Sequence, residues 1–253
     1  FPRLRPDPEQ EMATHTSTSS STVTAADTPK TNSDEISAYA EDDPSQLFGL
    51  AQSANLAFEK ESVERRVAWA LSQLPGPKVV VSDFGLESAA LLHLAAQAQS
   101  DIPVLLIDTG YLYPETYRYA EQLREALALN LHVYRPSMSS ARQEAKFGKL
   151  WTQGEQGMQT YRRLNKLEPL ERALLDFSAR TWLQESTREA DGDAVEPVVM
   201  ASGRLRVSPL LDWTAEELGA YLERHGLPTH PLAERGYMRI GDVHAGDRHR
   251  AGA

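Results

Sequence analysis

Residues 78–88 read Lys-Val-Val-Val-Ser-Asp-Phe-Gly-Leu-Glu-Ser, an apolar strand that runs into a turn of small and polar side chains. Residues 86–99 are rich in Ala and Leu and predict a helix, and residues 103–107 form a second apolar strand. Further helix and strand patterns follow at residues 114–129 and 131–134. Apolar strands that alternate with helices are typical of a parallel sheet covered on both faces, so the sequence predicts an α/β fold.

The flanking segments predict further elements. Short helices are expected at residues 47–56 and 63–71, the second ended by Pro75-Gly76-Pro77. The pattern from Ser139 to Arg188 is mostly helical, and a late strand is expected at residues 205–211. Thr214 is positioned to cap a helix that runs to Arg224, and the remainder has the composition of a loop.

The N-terminal segment differs in composition from the rest. Residues 14–24 are nearly all Ser and Thr, and residues 34–43 are acidic, so this part lacks the apolar surface needed to offset the entropy of ordering. We therefore expect a disordered tail over residues 1–45 and one folded domain over residues 46–253. Because the chain begins with Phe1, either Met12 is the true start or the chain is a fragment.

Composition excludes several classes of protein. Twenty-six Lys and Arg against 36 Asp and Glu give a net charge of −10, which argues against a general nucleic-acid or anionic-membrane binder. The complete absence of cysteine excludes disulfides, thiolate metal sites and a thiol nucleophile within these 253 residues. Neither a membrane span nor a signal peptide is evident, so we expect a cytoplasmic protein without membrane or nucleic-acid partners.

Two turns are candidate binding elements. Ser82-Asp83-Phe84-Gly85 lies where a parallel strand meets a helix, a position at which backbone N–H groups bind anions, although a plain strand–helix turn has the same pattern. Asp108-Thr109-Gly110 follows the next strand and would face the same crevice. The simpler interpretation is that Asp108 and Thr109 cap the following helix, and both interpretations can hold together.

Basic residues and histidines are less specific signals. Nine Lys and Arg side chains lie between Arg142 and Arg188, which indicates either a solvated helix face or the cations for a phosphorylated ligand. His230 and His244 are candidate ligand contacts, whereas His93 on an Ala/Leu helix is expected to be structural. Histidine spacing does not match a zinc site, so neither a metal nor a cofactor is predicted.

As a whole the sequence resembles the thioredoxin-dependent phosphoadenylyl-sulfate (PAPS) reductases of assimilatory sulfate reduction. The likeness runs from about Glu64 to His244 in many separate motifs. These include Arg66-Val67-Ala68-Trp69, Phe84-Gly85, Asp108-Thr109-Gly110-Tyr111-Leu112, Lys146-Phe147-Gly148-Lys149-Leu150-Trp151, Asn165-Lys166-Leu167-Glu168-Pro169, Pro209-Leu210-Leu211-Asp212-Trp213, His225-Gly226-Leu227-Pro228 and Ile240-Gly241-Asp242-Val243-His244.

The resemblance implies a Rossmann-like, three-layer adenine-nucleotide alpha-hydrolase fold related to PP-loop proteins, with a mostly parallel sheet. It implies PAPS or adenosine 3′,5′-bisphosphate as ligand, thioredoxin as electron donor to an active enzyme, and a homodimer. The family reaction yields sulfite and adenosine 3′,5′-bisphosphate through a cysteine near the C-terminus. Matching motif positions give the candidate substrate-binding residues Ser82, Phe84, Gly85, Asp108, Gly110, Lys166, Arg172, Arg188 and His244.

The sequence departs from the family motifs at the positions of the nucleophile and of the groups that bind anions. Ala253 precedes the position of the family's Glu-Cys-Gly-Leu/Ile-His tail, and no residue present replaces that nucleophile, so no catalytic residue is assigned. Asp83 replaces a hydroxyl residue in the first turn, where we expect it to repel a phosphate, and Thr187, Asp191 and Asp247 replace an arginine, a serine and another arginine.

Two hypotheses remain open, and a third ranks last. The chain is either a working reductase whose cysteine lies beyond Ala253, or a non-catalytic relative that binds a nucleotide or a partner. An adenylating ATP pyrophosphatase ranks last, because the turn has a single glycine where that chemistry uses two.

Overall fold

A computed structural model describes residues 44–187, 196–237 and 239–244. The helices are α1 (Pro44–Phe58), α2 (Val63–Gln73), α3 (Ser88–Ala98), α4 (Pro114–Ala126), α5 (Ser140–Phe147), α6 (Gly154–Arg162), α7 (Glu168–Asp176) and α8 (Ala215–His225). A π-helical turn, Arg163–Leu167, joins α6 to α7, and 3₁₀ turns lie at Leu150–Thr152 and Ala233–Arg235. The strands are β1 (Lys78–Ser82), β2 (Pro103–Ile107), β3 (Asn130–Tyr134), β4 (Thr181–Gln184), β5 (Val198–Ala201) and β6 (Arg204–Val207).

These strands form one sheet in the order β3-β2-β1-β4-β6-β5. Every neighbouring pair is parallel except β5 and β6, which are antiparallel. The chain builds outward from β1 to β3 and then crosses to the other side of β1 to form β4. The carboxyl ends of β1 and β4 therefore flank the topological switch point, where ligands bind in open α/β sheets. The predicted α/β fold with a mostly parallel sheet is confirmed.

Alternating side chains of the central strands build a core on each face of the sheet. Val79, Leu105 and Trp182 pack on one face with apolar residues of α7. Val80 and Leu183 point to the opposite face, where α1 to α4 and α8 contribute a larger cluster. Burial on both faces explains why the strands of the sequence are continuously apolar rather than alternating.

The structure corrects the sequence-based elements in the second half of the chain. Residues 181–184 lie inside the stretch predicted to be helical, yet they form β4 between β1 and β6. Thr181 and Trp182 favour strand geometry, and pairing on both sides outweighs the helical pattern around them. The prediction also missed β5, and the strand expected over residues 205–211 ends at Val207.

The predicted tail, residues 1–45, lies outside the described residues except for Pro44 and Ser45, which begin α1. That helix is longer than the segment expected from the sequence. Across the ranges that the structure describes, no helix combines the length and the apolar character that crossing a bilayer requires.

The helix that Thr214 was predicted to cap begins as expected. The Thr214 hydroxyl accepts a hydrogen bond from the Glu217 N–H at 3.2 Å, and the Glu217 carboxylate accepts one from the Thr214 N–H at 2.8 Å. This reciprocal pair is a capping box, and a left-handed Gly226 ends the same helix.

We predict that Thr214→Ala lowers the free energy of unfolding by about 1 kcal/mol, because the amide protons at the start of α8 lose their acceptor. Urea unfolding followed by circular dichroism measures the change. Ser139→Ala is the matched control, since Ser139 precedes α5 without a side-chain capping bond. Equal losses in the two variants would contradict the capping role of Thr214.

Candidate functional site

The turn after β1 meets the end of β4 at the switch point. Three donors converge there on Oε1 of Glu185, each at 2.8 Å: the hydroxyls of Ser82 and Ser88 and the backbone N–H of Asp83. We call these three donors the anion cradle. Two come from the end of β1 and the third from the first residue of α3, so a strand end and a helix start hold the cradle.

Backbone geometry fixes the shape of the turn. Phe84 is fully buried and adopts a left-handed backbone (φ 55°), while its N–H donates to the Ser82 hydroxyl at 3.1 Å. The Gly85 N–H donates to Oδ1 of Asp83 at 2.9 Å, and a Cβ on Gly85 would lie only 2.9 Å from that oxygen. A side chain at position 85 would therefore displace the Asp83 carboxyl from its bond.

Glu185 and Asp83 place two carboxyl groups beside the anion cradle. Burial, followed by the adjacent charge of Asp83, raises the pKa of Glu185 to about 8, although the Ser88 and Ser82 hydroxyls act to lower it. Burial also raises the pKa of Asp83, against the lowering effects of Glu185, Lys166 and the Gly85 N–H. The second oxygen of Glu185, Oε2, is buried and has no hydrogen-bond partner among the described residues. Near neutral pH we therefore expect one proton to be held by this pair.

The loop after β2 is held by Asp108. Its Oδ1 accepts from the Gly110 N–H at 2.9 Å and from the Tyr117 hydroxyl at 2.6 Å, and its Oδ2 accepts from Nε of Arg135 at 2.7 Å. Burial acts to raise the pKa of Asp108, but these hydrogen bonds and the Arg135 charge outweigh it and lower the pKa. Asp108 is thus an ionised side chain whose bonds shape the loop.

The alternative assignment of Asp108 and Thr109 as helix caps is wrong. Tyr113 is the N-cap of α4, with Pro114 as the first helical residue. Thr109 instead donates its hydroxyl to Oδ1 of Asp242, a fully buried carboxylate on the C-terminal segment.

Asp242 ties three parts of the chain together. Besides the Thr109 bond, its Oδ2 lies 3.1 Å from Nζ of Lys166. An isolated antiparallel bridge pairs Asp242 with Leu112, and the Val243 N–H donates to the carbonyl of Tyr111 at 2.8 Å. The C-terminal segment is therefore pinned across the β2 loop, and Lys166 is held beside both turns.

His244 lies in an aromatic cluster next to this bridge. Its ring stacks on Trp151 with centroids 4.0 Å apart, and the rings of Tyr111 and Tyr161 approach it edge-on at 5.1 and 4.6 Å. Burial lowers the pKa of His244, although Asp242 acts to raise it. Both ring nitrogens are buried without a hydrogen-bond partner among the described residues.

The predicted basic residues separate into two places and one undescribed position. Lys166 lies in the π-helical turn, where buried Asn165 exchanges hydrogen bonds with Gln143 at 2.7 and 3.0 Å. Arg172 contacts Glu168 and the carbonyl of Arg135, beyond the end of β3. Arg188 lies outside the described residues.

The structure thus brings most of the predicted site residues to one edge of the sheet. Ser82, Phe84 and Gly85 form the first turn, and Asp108 and Gly110 form the second. Lys166 and His244 join them through Asp242 and Tyr111, whereas the contacts of Arg172 lie at the end of β3.

The structure assigns Asp83 a different place from the one expected. Its carboxyl bonds to the Gly85 N–H, and Oε1 of Glu185 accepts from the Asp83 N–H, so Glu185 and not Asp83 occupies the anion cradle. The sequence interpretation missed Glu185 because it missed β4. The run Thr181-Trp182-Leu183, with one β-branched and one aromatic side chain, was the available signal.

His93 and His230 have structural contacts. Nδ1 of His93 lies 2.8 Å from the Tyr221 hydroxyl, and buried His230 bonds to Thr116 and to the Leu232 N–H. Within residues 44–187, 196–237 and 239–244, no group of three or more His, Asp or Glu side chains is arranged to hold a metal ion.

A mostly parallel open sheet with polar turns at its switch point places the domain in the class of open α/β proteins, here with a fold like that of the adenine-nucleotide alpha hydrolases. Residues 77–247 match the family described as "Phosphoadenosine phosphosulfate reductase domain". The chain belongs to the phosphoadenosine phosphosulfate (PAPS) reductase family, as its sequence motifs predicted.

Individual relatives support this membership. The "Phosphoadenosine 5'-phosphosulfate reductase" of Citrobacter koseri is 46% identical over 201 residues, which cover 79% of this chain and 82% of the relative. The protein of that name from Escherichia coli O9:H4 has the same identity and coverage.

Solved structures place the fold in the same group. The PAPS reductase of Candida auris, solved as a phosphate complex, aligns with a TM-score of 0.68 and 25% identity over 78% of this chain and 95% of that one. The FMN adenylyltransferase of Candida glabrata, solved with FAD and inorganic pyrophosphate, shares the fold with a TM-score of 0.53 at 14% identity, over 79% of this chain and 71% of that one.

The raised pKa of Glu185 predicts a pH-dependent stability. Between the ordinary pKa of 4.5 and about 8, the folded state holds a proton that the unfolded state has lost, so stability should fall as the pH rises through this window. Glu185→Gln removes the ionisable group. From pH 5 to pH 8.5 we expect this variant to gain at least about 1.4 kcal/mol in unfolding free energy relative to the unsubstituted chain, the equivalent of one pKa unit.

Urea unfolding monitored by tryptophan fluorescence at both pH values tests this expectation. Glu223→Gln, on an exposed position of α8, makes the same charge change and is the control. Parallel pH profiles for the unsubstituted chain and Glu185→Gln would show that Glu185 titrates normally.

Proposed function

We propose that this chain binds an adenine nucleotide of the PAPS or adenosine 3′,5′-bisphosphate class in the crevice at the carboxyl ends of β1, β2 and β4. The observation that carries the proposal is the position of Lys166. This cation belongs to a family motif, stands half-exposed beside both turns, and is fixed there by buried Asp242. A half-exposed ammonium group held at the switch point is suited to pair with a ligand phosphate.

A further observation supports nucleotide binding by a chain of this family. The Candida auris relative is described as a phosphate complex, so a protein of this fold and family binds that group.

We propose that these 253 residues bind the nucleotide without reducing it. Transfer of a sulfo group to the protein requires a thiolate nucleophile, and the sequence contains no cysteine. A serine would form a sulfate ester, which thiol exchange cannot resolve. The function proposed for these residues is therefore nucleotide binding, within a family associated with sulfate assimilation.

The nucleotide site is tested with Lys166→Ala. We expect its affinity for adenosine 3′,5′-bisphosphate in calorimetry to fall about tenfold, because one charge-assisted contact with phosphate is lost. Affinity for adenosine should stay unchanged, since adenosine carries no phosphate. Lys60→Ala, at an exposed position between α1 and α2, controls for net charge.

If Lys166→Ala binds adenosine 3′,5′-bisphosphate with unchanged affinity, Lys166 is not part of the site. If the unsubstituted chain does not bind this nucleotide, the proposed function is overturned. Because Lys166 also pairs with Asp242, circular dichroism confirms that each variant is folded.

An assay of sulfite release tests whether these residues turn over PAPS. Incubated with PAPS and reduced thioredoxin, the 253-residue chain should release no sulfite above the protein-free blank. Release at a rate proportional to protein concentration would contradict the proposal that these 253 residues do not reduce the nucleotide.

Thioredoxin as an interacting protein, a homodimer and a cytoplasmic location stay predictions that rest on resemblance and sequence. Sedimentation velocity of the chain with and without reduced thioredoxin tests the first two.

A further inference from the structure

Glu185 reaches the anion cradle from a distant part of the chain. The two serines that bond it lie 103 and 97 residues earlier in the sequence, on β1 and α3, whereas Glu185 follows β4. A residue that caps its own neighbouring turn would be a local feature. Here the fold brings a separate strand end to the turn, so the contact is a tertiary one at the position where ligands of this fold class bind.

All three donors of the cradle are engaged by one oxygen of Glu185. A phosphate or sulfate oxygen entering the cradle needs the same hydroxyls and the same N–H, so it competes directly with this carboxyl. If phosphate displaced this carboxyl, Glu185 would lose all three hydrogen bonds. Its other oxygen, Oε2, does not replace them, because it is buried without a partner among the described residues.

The charges around the cradle reinforce this exclusion. Asp83 carries a carboxyl beside Glu185, and the buried carboxylate of Asp242 also acts on Asp83. The charge of Lys166 acts on Asp83, but its Nζ is already paired with Asp242 at 3.1 Å. An added phosphate in the cradle would therefore meet the negative charge that the Asp83–Glu185 pair still carries while it holds one proton, and like charges at short range repel.

We propose that Glu185 is a specificity-determining residue that fills the anion cradle and excludes phosphate and sulfate groups from it. The proposal rests on the crevice being the nucleotide site. Glu185 would restrict that site to adenine nucleosides and nucleotides that place their charged groups near Lys166 and an uncharged part at the end of β1. The chain itself supplies the anion for which the cradle's donors are arranged.

Inorganic phosphate and pyrophosphate are the probes, because neither needs an adenosine pocket. In calorimetric titrations we expect Glu185→Ala to bind pyrophosphate at least about tenfold more tightly than the unsubstituted chain. Glu185→Gln should gain less, since its side chain still fills the cradle. Glu223→Ala controls for net charge, and Ser88→Ala added to Glu185→Ala should abolish the gain.

Backbone amide NMR provides a test that needs no variant. Phosphate added to the unsubstituted chain should leave the Asp83 amide resonance in place, because Glu185 already accepts from that N–H. A saturable shift of this resonance in the unsubstituted chain would overturn the proposal, as would equal pyrophosphate affinity in the unsubstituted chain and Glu185→Ala.

The test of the Glu185 proposal and the test of the proposed function can fail independently. If Glu185→Ala gains pyrophosphate affinity while no variant binds adenosine 3′,5′-bisphosphate, the occupied cradle stands and the nucleotide site fails. If the nucleotide binds equally to the unsubstituted chain and Glu185→Ala and pyrophosphate affinity is also unchanged, the nucleotide site stands and the specificity role fails.

Discussion

The pairing of β1 with β4 is the constraint on which the rest of the molecule depends. It joins the two halves of the sheet and brings the turn after β1 next to the residue that follows β4. Without this parallel pair, the fold would not bring Ser82 and Ser88 into contact with Glu185. The fold core and the candidate site thus share one origin, since the same register that buries Val80 and Leu183 aligns the polar groups beyond the strand ends.

The first half of the fold was predictable from sequence because its strands are bounded by clear turn signals. Val79, Val80 and Val81 are followed by a small polar turn, and residues 103–107 by Asp108 and Gly110. β4 lacks such boundaries, because it follows the helical pattern of residues 139–176 closely. The signal in Trp182 was real but short, and only pairing with β1 and β6 decides its conformation.

The candidate site was predictable to the same extent. Ser82, Gly85, Asp108, Gly110 and Lys166 lie in motifs, and strand order alone places the two turns side by side. Glu185 and the partners of Asp242 depend on contacts between segments far apart in sequence. No local pattern encodes such contacts, so the electrostatic character of the crevice became visible only in three dimensions.

The π-helical turn Arg163–Leu167 has a consequence for the geometry of α6 and α7. A wide turn is equivalent to one residue inserted into an α-helix, and each residue advances the helix by roughly 100°. The apolar stripe of α7 is therefore out of phase with that of α6, although the backbone continues without a break. This offset lets α7 bury Ala173 and Leu174 against the sheet while Lys166, about two turns earlier, points its ammonium group to Asp242. A deletion of one residue in this turn would return the two helices to a common phase and turn either the lysine or the apolar stripe away from its partner.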